Sequence, residues 1–128
     1  MSLALLLGAL SFCGTLRAHH GAAAYADKIV VLKDATVTKF VWSNPHNIVL
    51  FDVKDDSGSI AHWAGEMGSP SATGLLGWNR NSLQPGDVIT VYIYPAKSGN
   101  PVGRLNMIMF ADGKVLRDSQ LGGDKKDR

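Results

Sequence analysis

From Lys28 onward the chain alternates between apolar and polar positions. In KIVVLKDATVTKFVWS (28–43), Ala35, Val37, Lys39 and Val41 oppose Thr36, Thr38, Phe40 and Trp42 with period two. β-Branched residues are frequent there, so a long strand is predicted, bent near Lys33 and Asp34. Asn44-Pro45-His46 forms the turn after it, because proline cannot donate to a ladder and asparagine supplies local turn hydrogen bonds. NIVLFDVK (47–54) is the second strand, Asp55 to Gly58 the hairpin turn and SIAHWAGEM (59–67) the third strand. The period then changes. In GSPSATGLLGW (68–78), Ser69 is placed to cap a short helix, Pro70 to open it, Leu75 and Leu76 to make its apolar contact and Gly77 to end it. A turn through Pro85 and Gly86 leads to VITVYIYP (88–95). Beyond the loop AKSGNPVG (96–103) come RLNMIMFA (104–111) and a short strand in DGKVL (112–116).

Three strands, a short helix and two or three further strands make the chain all-β with one short helix. That is the element order of a small OB-like, five- to six-stranded Greek-key barrel. The segment before the alternation is different in kind. Leu3 to Cys13 is apolar except for Ser11, the length of a signal-peptide core and well short of the roughly 20 residues that a membrane span needs. Residues 1–18 therefore read as a signal peptide cut after Ala18, with a cut after Cys13 as competitor. A lipoprotein reading is disfavoured by bulky Phe12 ahead of the cysteine. The expected organisation is a signal over 1–18, a barrel over 19–117 and a polar, disordered tail over 118–128, in a periplasmic or secreted protein.

Composition narrows the partners. The chain has 13 Lys and Arg against 11 Asp and Glu, and loss of residues 1–18 removes Arg17 and the single cysteine, leaving a net charge of +1. Near-neutral charge gives no electrostatic reason to expect nucleic acid or an anionic membrane surface. A mature domain without cysteine suits an oxidising compartment and takes its stability from its core or from a bound ligand.

Laid end to end, the motifs AHHGAAAY, FVWSNPHNIVLFDVKDDSG, HWAGEMGSPSATGLLGW, NSLQPGDVITVYIYPAKSGNPVGRL and ADGKVL resemble a family of small exported bacterial proteins catalogued only as a domain of unknown function. The likeness spans about residues 18–116. It implies an exported single domain and brings no activity, so the chemistry has to come from the residues.

Four histidines are available: His19, His20, His46 and His62. Cleavage after Ala18 would make His19 the N-terminus, where its amine and imidazole can chelate one ion together. Adding His46 or His62 gives three nitrogen donors, a set that suits Cu(II); His20 fits that arrangement less well. Against this, a leading His-His-Gly is commonly a solvated leader, and a turn histidine commonly caps backbone groups. Met107 and Met109, two apart on one strand face, would suit Cu(I) with Trp42 or a histidine nearby, but such methionines more often fill a barrel core. Trp42, Trp63, Tyr92 and Tyr94 supply a second class of surface. Tyr92 and Tyr94 share a strand face and could stack on a carbohydrate or peptide, whereas the tryptophans more ordinarily pack the core. Glu66, near Trp63 and the helix start, is the one candidate acid, and a carboxylate there more simply complements the helix dipole. Signatures of an enzyme are absent: there is no G-x-S-x-G elbow and no glycine-rich phosphate loop. The expectation is an exported binding or accessory module, with copper as the first candidate cofactor. A peptide, a carbohydrate or a larger exported protein is the alternative partner.

Overall fold

The computed structural model describes residues 22–119. The proposed signal, the cleavage junction, His19, His20 and most of the tail lie outside them. A short 3-10 turn at Ala22–Ala24 leads into strands β1 (Val30–Val41), β2 (Ile48–Lys54) and β3 (Ile60–Glu66). Helix α1 (Pro70–Gly74) then precedes β4 (Val88–Pro95), β5 (Val102–Phe110) and β6 (Val115–Arg117). Ser69 caps the helix as its sequence predicts, its hydroxyl accepting from the Ala72 N–H, with Pro70 in the first turn. Leu75 does not make the expected contact: it is 87% exposed, and only Leu76 packs against the core.

The sheet runs β3-β2-β1-β4-β5-β6, and β3 also pairs with β5 in parallel through Ala64↔Val102 and Glu66↔Arg104. That seam closes a five-stranded barrel, with β6 added to β5 outside the circuit. Gly103 makes the seam possible. A Cβ there would stand 2.5 Å from the Tyr94 carbonyl oxygen and 2.7 Å from Ile93 Cγ1, so no side chain fits where β5 crosses β4.

The core is built from alternate residues of the long strands, among them Val37, Val49, Phe51, Val91, Ile93 and Ile108, and Trp78 is buried with them, its indole N–H donating to the Arg117 carbonyl. Each such side chain contributes roughly 1.5–3 kcal/mol on leaving water. Two bulges change the alternation that the sequence suggests. One, between Val37 and Lys39, brings Phe40 to the core side with Val37, so Lys39 rather than Phe40 faces out. The other lies between Tyr92 and Ile93, opposite Leu105 to Met107. Past it Ile108 is fully buried, while Met107 and Met109 are only half-buried and stand outside the core. The methionines are therefore not core filler; the bulge turns them to the outer face. Asp118, the first residue after 117, is buried and contacted on both carboxylate oxygens.

Candidate functional site

The outer face of the β2–β3 ribbon carries two histidine–carboxylate pairs. Register decides this: Ile48 stands opposite Glu66, Leu50 opposite Ala64 and Asp52 opposite His62, and these alternate residues all face away from the core. At one end, His46 precedes β2 and Glu66 ends β3. At the other, Asp52 and His62 face each other directly. The two ends lie four residues apart along the strand, about 13 Å at a rise of about 3.3 Å per residue. His46 and His62 are thus alternatives as ligands for one ion, never partners.

At the His46 end the geometry is defined by several contacts. The imidazole Nδ1–H donates to the Met67 carbonyl at 2.9 Å, so in the neutral ring the lone pair is on Nε2, the nitrogen that faces Glu66. Nε2 lies 3.7 Å from Glu66 Oε1. The other oxygen, Oε2, accepts a 2.6 Å hydrogen bond from the Tyr25 hydroxyl. Burial, and then the hydrogen bond to Glu66 and its charge, push the Tyr25 phenol up to about 12, with Arg104 acting in the opposite direction. Tyr25, His46 and Glu66 share a pocket of about 470 Å³ whose apolar wall includes Pro45, Ile48, Ala64 and Val102.

The loop that presents His46 is held from beneath by Asn47, which is fully buried. Its side-chain oxygen accepts from the Ser43 N–H, and its amide nitrogen donates to Thr73 Oγ1 in the helix. Its backbone exchanges two hydrogen bonds with the segment after β3, Asn47 N–H to Gly68 O and Met67 N–H to Asn47 O. The carbonyl that orients His46 therefore sits on a segment stapled to the residue next to His46. The Asn44–Pro45 peptide in this loop is cis. On the other side of the pocket, the chain entering the barrel is tied to the β4–β5 loop by Ala26 N–H to Pro95 O and Lys97 N–H to Ala24 O.

The second pair differs. His62 Nδ1 meets Asp52 Oδ1 at 2.6 Å, but the imidazole is 81% exposed. It borders a second groove of about 410 Å³ with Trp63, Leu50 and Pro101.

Of the other sequence candidates, Trp42 meets Phe40 edge-on at 6.0 Å and Trp63 stacks on Phe51 at 6.2 Å, both packed against the core. Tyr92 stands in an outer-face row between Val31 and Met107, and Tyr94 stands opposite Arg104. Glu66 does not complement the helix as its position in the sequence suggests; it ends a strand and turns to Tyr25 and His46. Tyr25, Asn47 and Asp118 were not among the sequence candidates. Their partners are 41, 26 and 50 residues away along the chain, beyond any local pattern.

Among the described residues no three His, Cys, Asp or Glu side chains converge as a complete metal centre, and no helix is long and apolar enough to cross a membrane. What the pocket offers is two donors, one imidazole nitrogen and one carboxylate oxygen. Two neighbouring donors each about 2.0 Å from an ion in the tetragonal geometry of Cu(II) stand about 2.8 Å apart, so the 3.7 Å between Nε2 and Oε1 has to close by about 0.9 Å for both to ligate. The orienting Met67 carbonyl is the kind of outer partner that ligating histidines use. No curated protein and no solved structure matches the chain. A family model does, over residues 8–106, and the chain belongs to that family, a family of unknown function (DUF6152).

Proposed function

We propose that the protein is an exported accessory module that binds a transition metal, copper first, at the pocket formed by His46 and Glu66. The ion is completed by the amine and imidazole of His19 after cleavage at Ala18. The observation that carries this reading is the Tyr25 hydrogen bond to Glu66. It ties the chain, six residues after His19, to the carboxylate that faces His46 Nε2, and six residues span at most about 20 Å. A leader anchored at that point is short enough to bring a third and fourth donor to a two-donor pocket. His62 has no comparable tether, so His46 is the preferred partner. Amine nitrogen, imidazole nitrogen and carboxylate oxygen together suit Cu(II).

The role is binding rather than catalysis, in the periplasm or outside the cell. The alternative rests on the outer-face row Val31, Tyr92 and Met107, in which Val31 is 44% exposed. With Tyr94 beside it, that row would grip a carbohydrate, a peptide or an exported protein, and no metal would be involved.

The test is to purify the exported protein, determine its mature N-terminus by mass and titrate Cu(II) into the natural chain, His19→Ala and a form carrying one extra residue ahead of His19. Uptake tighter than that of a free His-His peptide, lost in both altered forms, is expected. A mature start elsewhere, or uptake no tighter than the peptide's, overturns the reading. A glycan or peptide that binds through Tyr92 and Tyr94 would put the alternative in its place.

A further inference from the structure

Arg104 is next to Glu66 in the parallel β3–β5 register, so the two Cα atoms stand about 4.8 Å apart on neighbouring strands. An arginine so placed would ordinarily neutralise the carboxylate beside it. Here it does not: the guanidinium Nη2 donates to Asp118 Oδ2 at 3.0 Å, and its ion pair is with that residue. The Asp118 side chain is 4% exposed, and its second oxygen accepts the Gly68 N–H at 2.8 Å. Its own backbone N–H donates to the Asn106 carbonyl, which fixes its position beyond the end of β6. Apart from Arg104, the residue is fixed by the Gly68 N–H on its carboxylate and by its own backbone N–H, so the carboxylate can in turn hold Arg104.

We propose that Asp118 is a positioning residue: by holding the Arg104 guanidinium away from Glu66, it preserves a free carboxylate charge for a cationic ligand in the His46 pocket. This rests on reading that pocket as a cation site, but the charge partition itself has a consequence without any metal. Glu66 is faced by the Tyr25 hydroxyl, His46 Nε2 and, one strand away, Arg104. Freed from Asp118, the guanidinium can turn to Glu66, its neighbour in the register. Asp118 also lies outside the segment matched by the family model, so the site depends on residues beyond that segment.

Asp118→Asn is the discriminating change, because asparagine retains an oxygen acceptor for the Gly68 N–H while the oxygen that holds Arg104 becomes an amide NH2, which can neither accept from the guanidinium nor balance its charge. Cu(II) affinity is expected to drop several-fold in Asp118→Asn, as Arg104 moves onto Glu66, and to recover when Arg104→Gln is added. A crystal structure of the metal-free Asp118→Asn protein gives the metal-independent arm: the guanidinium is expected on Glu66, and a guanidinium that stays away from it in the folded variant overturns the proposal. If that variant does not fold, Arg104→Gln alone decides: Cu(II) affinity within about twofold of the natural protein is expected for a guanidinium already held on Asp118, and a several-fold rise overturns it. Should the guanidinium move as expected while the natural protein takes up no copper, the charge partition stands and the metal reading fails.

Discussion

The two histidine–carboxylate pairs on the β2–β3 face are alike in composition and differ in what they can do. His62 and Asp52 make the shorter contact, 2.6 Å against 3.7 Å for His46 and Glu66. Yet the short contact joins an 81% exposed imidazole to its neighbour across the strand. Such exposed pairs contribute about 0–1 kcal/mol. In the longer pair each partner is independently oriented, His46 by the Met67 carbonyl and Glu66 by the Tyr25 phenol, and the gap between them is left open. A closed ion pair has spent its donors on itself. An open one with oriented partners is arranged for a third body, and that difference separates a surface contact from a site.

The largest effect expected is on what lies beneath the pairs. Asn47→Ala removes both the acceptor for the Ser43 N–H and the donor to Thr73 Oγ1. It should cost roughly 2–3 kcal/mol, because a buried amide is lost and its partners are left short. Asp52→Asn should cost less than about 1 kcal/mol. Urea denaturation of both variants checks the contrast, and equal losses would show that the His46 loop is no better supported than the His62 hairpin.

Next in size is copper uptake. His46→Ala is expected to weaken Cu(II) binding by about tenfold or more, the effect of losing one ligand worth about 1.4 kcal/mol or above. His62→Ala should leave it within about twofold, the exposed imidazole lying about 13 Å along the ribbon. Isothermal titration on the processed protein separates these. The reverse order would move the site to the other end of the groove.

Much of this was legible in the sequence, and the parts that were not have specific causes. Period-two alternation located every long strand, and Ser69-Pro70 located the helix, because both signals are local. His46 and Glu66 were each identifiable as candidates by residue type. Their pairing was not, since it depends on Ile48 facing Glu66 across a hairpin and on Tyr25 returning from 41 residues away. The bulges were equally hidden. Nothing in Thr38 or Asn106 announces an extra residue, yet one bulge takes Phe40 into the core and the other keeps Met107 and Met109 out of it. Asp118 begins a stretch that is polar in composition, and only its carboxylate contacts with Gly68 and Arg104 tell it from the tail behind it.

The smallest effect is also the most selective, because only the His46 pair has an alkaline signature through its phenol. Below pH 10 the Tyr25 hydroxyl keeps its proton in both the folded and unfolded chain, and its bond to Glu66 contributes in full. Between the ordinary value of 10.0 and about 12 the unfolded chain gives up that proton while the folded protein retains it. Unfolding then releases a proton, so stability falls as pH rises through this window and the contribution is gone above it. Tyr25→Phe has no proton to release and should lack this part of the slope, lying below the natural protein at pH 9 and converging on it by about pH 12. Urea midpoints at pH 9, 10 and 11 measure the convergence. Parallel curves would mean that the phenol does not hold Glu66 in solution. The longer pair would then lose its second orienting contact and become a surface contact like the shorter one.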